Sequence, residues 1–254
     1  KSYLSGRTQF TSINGFNSDT KDMKIGVPQG SVLGPLLFLV YINDLHYCIK
    51  YSQTHHFADD TNLLIAHESV KAMQKQINLD LKFLSKWLKA NKISLNASKT
   101  EVLIFKHPSK QLLYSKNNED KIPFEIKIKL DGEIIKPSAY VKYLGILIDS
   151  NLDWTPHIDN LSTKLSRAIG MLAKIRYYVS NKVLTSIYSA IFSSLMIYGS
   201  QIWGQSDQNQ VKIKRLQDKA LRIINFKPSR HPVNHLYKSC DIIKFKDNID
   251  LLNC

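Results

Sequence analysis

The hydrophobic pattern changes character near residue 153, and that change limits the folds open to the chain more than any other feature. Before it, apolar runs of strand length alternate with helical stretches; after it, apolar positions recur at steps of three and four. Tyr51 to Ala66 reads as strand, turn, strand, with Phe57 and Ala58 before the bend, Asp59-Asp60 at it, and Leu63, Leu64 and Ile65 beyond it. Val70, Met73, Ile77, Leu81, Leu84 and Leu88 mark an amphipathic helix over about Ser69 to Ala90. Val102 to Lys106, Ile126 to Leu130 and Tyr143 to Ile148 follow as expected strands, separated by a Lys- and Asn-rich loop from Lys106 to Lys121. From Trp154 onward, Ile158, Leu161, Leu165, Ile169 and Leu172 form one helix face, and further helices are expected over Asn181 to Ile197 and Val211 to Ile224. The expectation is an α/β (α+β) domain over residues 1–152, mixed or antiparallel in its sheet, followed by a helical domain over residues 153–254.

The first forty residues are punctuated differently. Arg7 to Ile13 and Lys24 to Val27 look like two short strands flanking the polar run Asn14 to Asp22, a hairpin-like arm. Pro28 and Gly30 mark a tight turn, and Pro35 suits the first position of a helix that continues through Leu36, Leu37, Phe38, Leu39, Val40, Tyr41 and Ile42. That helix is apolar nearly all round, so burial is expected. The uncharged stretches Ile25 to Asn43 and Val183 to Gln205 have the length of membrane spans, but the glycines and prolines of the first and the serines of the second argue for helices inside a globular protein.

Lys and Arg number 35 against 21 Asp and Glu, a formal net charge of +14, which favours polyanionic partners. The excess is concentrated: Lys164 to Arg230 holds 12 basic residues and 2 acidic ones, Asp207 and Asp218, a difference of +10. Cys48, Cys240 and Cys254 form no CxxC pair, which argues against a disulfide framework and fits an intracellular protein, cytoplasmic or nuclear. His231, His235 and Cys240 are zinc-ligand types, yet no fourth ligand accompanies them, and scattered surface residues is the reading adopted.

Adjacent carboxylates repel one another, and holding Asp59 beside Asp60 at a bend suits a divalent cation. Taken alone, such a pair reads better as a solvated turn than as a metal site. Its context is more specific. Gly26-Val27-Pro28-Gln29-Gly30-Ser31-Val32-Leu33-Gly34-Pro35, then Phe57-Ala58-Asp59-Asp60, then Leu95-Asn96-Ala97-Ser98-Lys99-Thr100-Glu101, then Val141-Lys142-Tyr143-Leu144-Gly145-Ile146 resemble palm motifs B, C, D and E of the reverse transcriptases of non-LTR retrotransposons, in that order. Lys1 to Phe10 resembles the segment joining motif A to motif B, and Tyr198-Gly199-Ser200-Gln201-Ile202-Trp203-Gly204 resembles the thumb of insect-type elements.

The resemblance implies a polymerase palm with a helical thumb, the fingers mostly missing, acting as an RNA-directed DNA polymerase on an RNA template, a DNA primer and dNTPs, with no membrane partner. It implies Mg²⁺ or Mn²⁺, two ions about 3.5–4 Å apart, one lowering the pKa of the primer 3′-hydroxyl and the other neutralising the triphosphate. Asp59 is implied as the main metal ligand with Asp60 beside it; Lys99 as a proton or charge donor to the leaving pyrophosphate; Pro28, Gln29, Gly30, Phe57 and Ala58 as the substrate-binding surface; and Tyr143, Leu144 and Gly145 as the turn that holds the primer. Arg7, Lys164, Arg167, Lys174 and Arg176 are the expected nucleic-acid contacts, with Tyr177-Tyr178 adding aromatic surface. Motif A, which supplies the family's first metal-binding Asp, is expected upstream of Lys1, since Asp19 and Asp22 lie in a polar stretch without a strand pattern. Residues 1–254 are accordingly expected to be a fragment that is inactive by itself. The alternative from another class is a catalytically dead nucleic-acid-binding remnant, or domesticated palm-thumb protein, that keeps the basic surface without the chemistry.

Overall fold

A computed structural model describes residues 2–105 and 126–253, packed as two compact units. The loop expected over 106–121 lies outside the described residues. One unit runs to Thr100 and takes in a later strand pair that closes at Lys136; the other holds the strand after Thr100 and everything from Pro137 onward.

The first unit opens with an exposed arm. Strand β1 (Thr8–Gln9) pairs antiparallel with β4 (Lys21–Asp22), and β2 (Ser12–Ile13) with β3 (Phe16–Asn17). Asn14 and Gly15 both take positive φ, 51° and 84°, as a two-residue hairpin loop of the favoured twist requires. The expected pairing is therefore corrected: the returning strand lies within the polar run, and Lys24 to Val27 is not strand. Asn-Gly was the overriding signal, and polarity is no bar because all four strands are exposed.

Helix α1 (Leu33–Ile42) forms, starting at Leu33 rather than at the expected Pro35, but only Gly34 and Ile42 are buried. Leu36 is 58% exposed, Leu39 48% and Val40 68%, so the expectation of a buried helix is overturned. An apolar sequence sets how much surface wants covering; the neighbours decide how much is covered, and those present cover one edge of α1.

The core of this unit forms around α2 (Val70–Ala90), whose start Ser69 caps by accepting from the Ala72 amide. Leu81, Leu84 and Leu88, spaced three and four apart, are buried along with Leu45 and with Ile128 and Leu130 of β8 (Ile128–Leu130). That strand turns at Asp131-Gly132 into β9 (Glu133–Ile135). Asp131 accepts from Ser85 and pairs with Lys89, which draws its carboxyl below the usual carboxylate value. The remaining pair, β5 (Gln53–Phe57) and β6 (Asp60–Leu64), is antiparallel.

In the second unit β7 (Val102–Leu103) runs parallel to β10 (Pro137–Ser138). The single strand expected over Tyr143 to Ile148 is instead a hairpin, β11 (Tyr140–Tyr143) and β12 (Ile146–Asp149), with Leu144-Gly145 as its loop. Everything after it is helical: α3 (Thr155–Ile175), α4 (Asn181–Ile187) continuing through a π segment at Tyr188–Ser193 into α5 (Ser194–Ile197), α6 (Ser200–Trp203), α7 (Asp207–Ile224), α8 (Asn234–Ser239) and α9 (Phe245–Leu252). Asp149 sets the start of α3 by accepting from the amides of Asn151, Asp153 and Trp154. Leu165, Leu172, Leu184, Phe192, Met196, Trp203, Ile213 and Ile224 fill one core, with Trp203 stacked on Phe245 at 5.5 Å. The described strands thus form two-stranded ladders beside helices, a mixed helix and sheet architecture. No described helix is long and apolar enough to cross a membrane.

Candidate functional site

The β5–β6 register pairs Phe57 with Asp60, leaving Ala58-Asp59 as a two-residue loop. Asp59 stands at the tip and Asp60 is the first residue of β6; both are exposed. Ala58 takes φ 53°, a left-handed conformation in which any side chain is strained, and the methyl of alanine is the smallest that a chiral residue can bring there. Phe57 projects from the strand end, 62% exposed. Two carboxylates on a solvent-facing tip are hard oxygen donors, the type that Mg²⁺ and Mn²⁺ take. Among the described residues no group of three or more Asp, Glu, His or Cys side chains is gathered for a metal. Asp19 stands between β3 and β4, and Asp22 lies in β4 opposite Thr8.

The base of the same hairpin is fixed from α2. Asp80, fully buried, accepts from the amides of Lys50 at 2.9 Å, Tyr51 at 3.1 Å and Ser52 at 2.7 Å, and from the Ser52 hydroxyl at 2.7 Å. These residues lead directly into β5. Asp80 was hidden in the sequence among the polar positions of an amphipathic helix, and nothing in its spacing distinguished it from them. His56 on β5 meets Thr61 across the hairpin at 3.1 Å.

Pro28, Gln29, Gly30 and Ser31 form a tight turn: the Ser31 amide bonds the Pro28 carbonyl and Gly30 takes φ 79°. Ser31 is its hub. Its hydroxyl donates to the Pro28 carbonyl at 2.8 Å, accepts from the Gly34 amide at 3.1 Å and meets the Tyr3 hydroxyl. A Cβ on Gly34 would stand 2.8 Å from that hydroxyl oxygen, which explains the glycine. Pro28, Gln29 and Gly30 are exposed. Lys99 closes the single turn Ala97–Lys99, with its side chain in solvent. Arg7 is half-buried, and its Nε and Nη1 have no hydrogen-bond partner.

The second unit carries the other predicted residues. Leu144 and Gly145 both take positive φ, 47° and 86°, in the tight loop between Tyr143 and Ile146. The Tyr198 hydroxyl donates to the Leu144 carbonyl at 2.6 Å. A Cβ on Gly145 would touch the Tyr198 ring at 3.4 Å, and one on Gly199 would stand 2.4 Å from Ile146. Trp203 in turn donates from its ring nitrogen to the Tyr198 carbonyl at 3.0 Å. The string Tyr198 to Gly204 therefore packs directly on the Leu144-Gly145 loop, a link between distant segments that sequence spacing did not reveal.

On α3 the buried stripe Ile158, Leu161, Leu165, Ala168, Ile169 and Leu172 leaves Lys164, Arg167 and Lys174 on the exposed side. Arg176 caps the helix C-terminus, half-buried, with its guanidinium against aromatic rings. His231 and His235 approach at 3.3 Å, while Cys240 hydrogen-bonds to Asn225 instead of joining them.

Comparison with known proteins gives these positions a family. The model of the family described as "Reverse transcriptase (RNA-dependent DNA polymerase)" matches residues 1–148, more than half of the chain. The chain is 28% identical to the RNA-directed DNA polymerase from mobile element jockey of Drosophila melanogaster, over 98% of its own length and 27% of that protein's. It is 29% identical to the probable RNA-directed DNA polymerases from transposon BS and from transposon X-element of the same fly, in each case over 88% of its length. The chain spans about a quarter of the length of these relatives. No solved structure matches it. The chain belongs to the reverse transcriptase family, on the branch of the non-LTR retrotransposons.

Proposed function

We propose that the chain is the palm and thumb portion of an RNA-directed DNA polymerase, residues 1–152 supplying the palm and 153–254 the thumb, which extends a DNA primer on an RNA template. The observation that carries this is Asp59 at the exposed tip of a two-residue hairpin loop, with Asp60 next to it, in a chain matched to reverse transcriptases from residue 1 to 148. Asp59 and Asp60 would hold Mg²⁺ or Mn²⁺, which supplies charge neutralisation at the attacking and leaving oxygens. The primer 3′-hydroxyl gives up its proton to solvent, its oxygen bonds to the α-phosphorus of the dNTP, the bond from that phosphorus to the bridging oxygen breaks, and pyrophosphate leaves. Lys99 delivers a proton or positive charge to that leaving group. The exposed Pro28-Gln29-Gly30 turn, with Phe57 and Ala58, gives the nucleotide and primer end a surface on which Gly30 has no side chain to obstruct approach. The loop at Tyr143, Leu144 and Gly145 holds the primer strand, while Arg7, Lys164, Arg167, Lys174 and Arg176 contact phosphates.

The reading is tested by dNTP incorporation on an RNA template with Mg²⁺ or Mn²⁺. Three proteins are compared: residues 1–254, the same residues extended with the upstream reverse transcriptase segment of a relative, and the extended polypeptide carrying Asp59→Asn. The extended protein is expected to polymerise, and the Asn variant to lose activity on the scale of several kcal/mol of transition-state stabilisation. Residues 1–254 are expected to be inactive, because two adjacent carboxylates cannot fix two cations. Extension by residues 1–254 that is abolished at Asp19 or Asp22 would place the third carboxylate there, and an active Asp59→Asn would end the assignment.

A further inference from the structure

Where the C-termini of α3 and α7 come together, aromatic rings stand in solvent around one arginine. The Arg176 guanidinium carbon lies 4.7 Å from the Tyr177 ring centroid and 5.1 Å from that of Phe226. The two rings meet edge to face, 5.6 Å apart at 70°. Arg176 donates from Nη2 to the Tyr177 hydroxyl, and its Nε is shielded from water without a hydrogen-bond partner. Ring faces rather than a carboxylate therefore hold this side chain. Tyr177 is 68% exposed, Tyr178 86% and Phe226 47%. Phe226 sits at φ 54° just after the α7 cap, and Lys227 follows it. Lys174 stands exposed one turn back on α3, and Arg222 in the last turn of α7 is fixed by donating from Nε to the His231 carbonyl.

Two features define what fits here. The surroundings are cationic: between Lys164 and Arg230 the acids are Asp207 and Asp218, and the latter accepts from the Tyr237 hydroxyl. Yet the aromatic spot sits at two helix C-termini, whose carbonyl ends carry partial negative charge and do not cradle phosphate. A ligand with a polyanionic backbone and flat, neutral, aromatic substituents satisfies both, its phosphates on the lysines and arginines and its rings on the tyrosines. Bases meet that description only when unpaired, because in a duplex their faces are already stacked.

We propose that Tyr177, Tyr178 and Phe226, stiffened by Arg176, form a stacking platform for unpaired bases of single-stranded nucleic acid, a use of the helical unit separate from its phosphate contacts. The proposal rests on the reading that this unit binds nucleic acid, and the experiment separates the two. Binding of residues 1–254 is measured by fluorescence anisotropy against a labelled single strand of about 12 nucleotides, an abasic strand of the same length, and a duplex of that sequence, across a salt series. The natural strand is expected to bind about tenfold more tightly than the abasic one. Tyr177→Leu with Tyr178→Leu is expected to erase that advantage while leaving abasic binding and its salt slope unchanged, Phe226→Leu to reduce it, and Tyr178→Phe to preserve it, since stacking needs the ring and not the hydroxyl. Equal affinity of the unaltered protein for natural and abasic strands overturns the platform and leaves the phosphate reading standing. So does an advantage that survives the double substitution. Tighter binding to the duplex than to the natural strand overturns the platform in favour of paired nucleic acid, and no binding to any strand at low salt overturns both readings.

Discussion

The Tyr198 hydroxyl reaches 54 positions back along the chain to donate to the Leu144 carbonyl at 2.6 Å, tying the helical part of the second unit to the tip of the β11–β12 hairpin. Leu144 pays a left-handed backbone conformation in that loop, and an unsupported two-stranded hairpin is marginal in water. The ring of Tyr198 against Gly145, the bulk of Ile146 beside Gly199 and the Trp203 bond to the Tyr198 carbonyl together hold a loop that would otherwise fray.

Tyr198→Phe keeps the ring contact and removes the bond. We expect a loss of about 1 kcal/mol in stability, with faster amide exchange concentrated in the β11–β12 hairpin. In an extended, active polymerase the same change is expected to raise the KM for primer more than it lowers kcat, because it loosens the loop proposed to hold the primer and leaves Asp59 untouched. A uniform rise in exchange across the second unit would show that Tyr198 only supports the core.

Asp80 gives the corresponding prediction for the first unit. Its buried carboxylate satisfies three backbone amides and one hydroxyl at the entrance to β5, and removing it strands those donors away from water. Asp80→Ala is expected to cost about 3 kcal/mol, with Asp80→Asn less severe because one acceptor oxygen remains. Denaturant unfolding of the two variants checks the order; an Ala variant as stable as the parent would mean that water replaces the carboxylate freely.

What could be read from the sequence divides along physical lines. Helix α2 and the stripe on α3 were legible because periodic burial writes itself into residue type at fixed steps. The β5–β6 bend was legible because a turn and two short strands are local. Asp80, Asp149 and Tyr198 were not, since each serves backbone groups whose positions depend on tertiary folding, and a single polar residue carries no period. The returning strand of the arm was missed because its residues are polar, although Asn14-Gly15 marked the turn. The exposure of α1 was hidden for the opposite reason, since its residues ask for cover that the described neighbours do not give.

His157 makes stability depend on pH. It is buried on α3, and its Nδ1 accepts from the Leu147 amide at 3.3 Å, which requires the neutral ring. Burial, with the Lys164 charge second, holds its pKa below the ordinary value of 6.5. As pH falls through about 6.5 the unfolded chain takes up the proton first, so the contribution to stability is complete above that value and is lost toward the lower folded pKa. His56, exposed on β5, is also held below the ordinary value, by partial desolvation and then by the neighbouring His46 and His55 imidazoles, so the dependence has more than one source. We expect His157→Gln to flatten, without abolishing, the fall in melting temperature between about pH 7 and pH 5. Identical pH profiles for parent and variant would remove His157 as a cause.

The exposed basic side of α3 gives the last prediction, which concerns how affinity responds to salt. Lys164, Arg167 and Lys174 follow one another at three and seven positions, so they recur near the same side of the helix, opposite the stripe from Ile158 to Leu172. A cation that neutralises a phosphate releases condensed counterions, and each such contact adds about 0.7 to the slope of log affinity against log salt for a single strand and about 0.9 for duplex DNA. A cation that only raises the general positive potential speeds association at low salt and adds little to that slope at physiological salt, where screening acts over about 8 Å. Replacing all three by Gln keeps the helix, since Gln is a good helix former and none of the three is buried. If they contact phosphate, the slope should drop by about 2 to 3 and the loss of affinity should be similar for every sequence tested. Lys212 serves as the control, because it already pairs with Asp159, and Lys212→Gln should leave the slope nearly unchanged. A triple variant that binds more weakly at low salt but keeps the parental slope would show that this side of α3 steers nucleic acid without touching it.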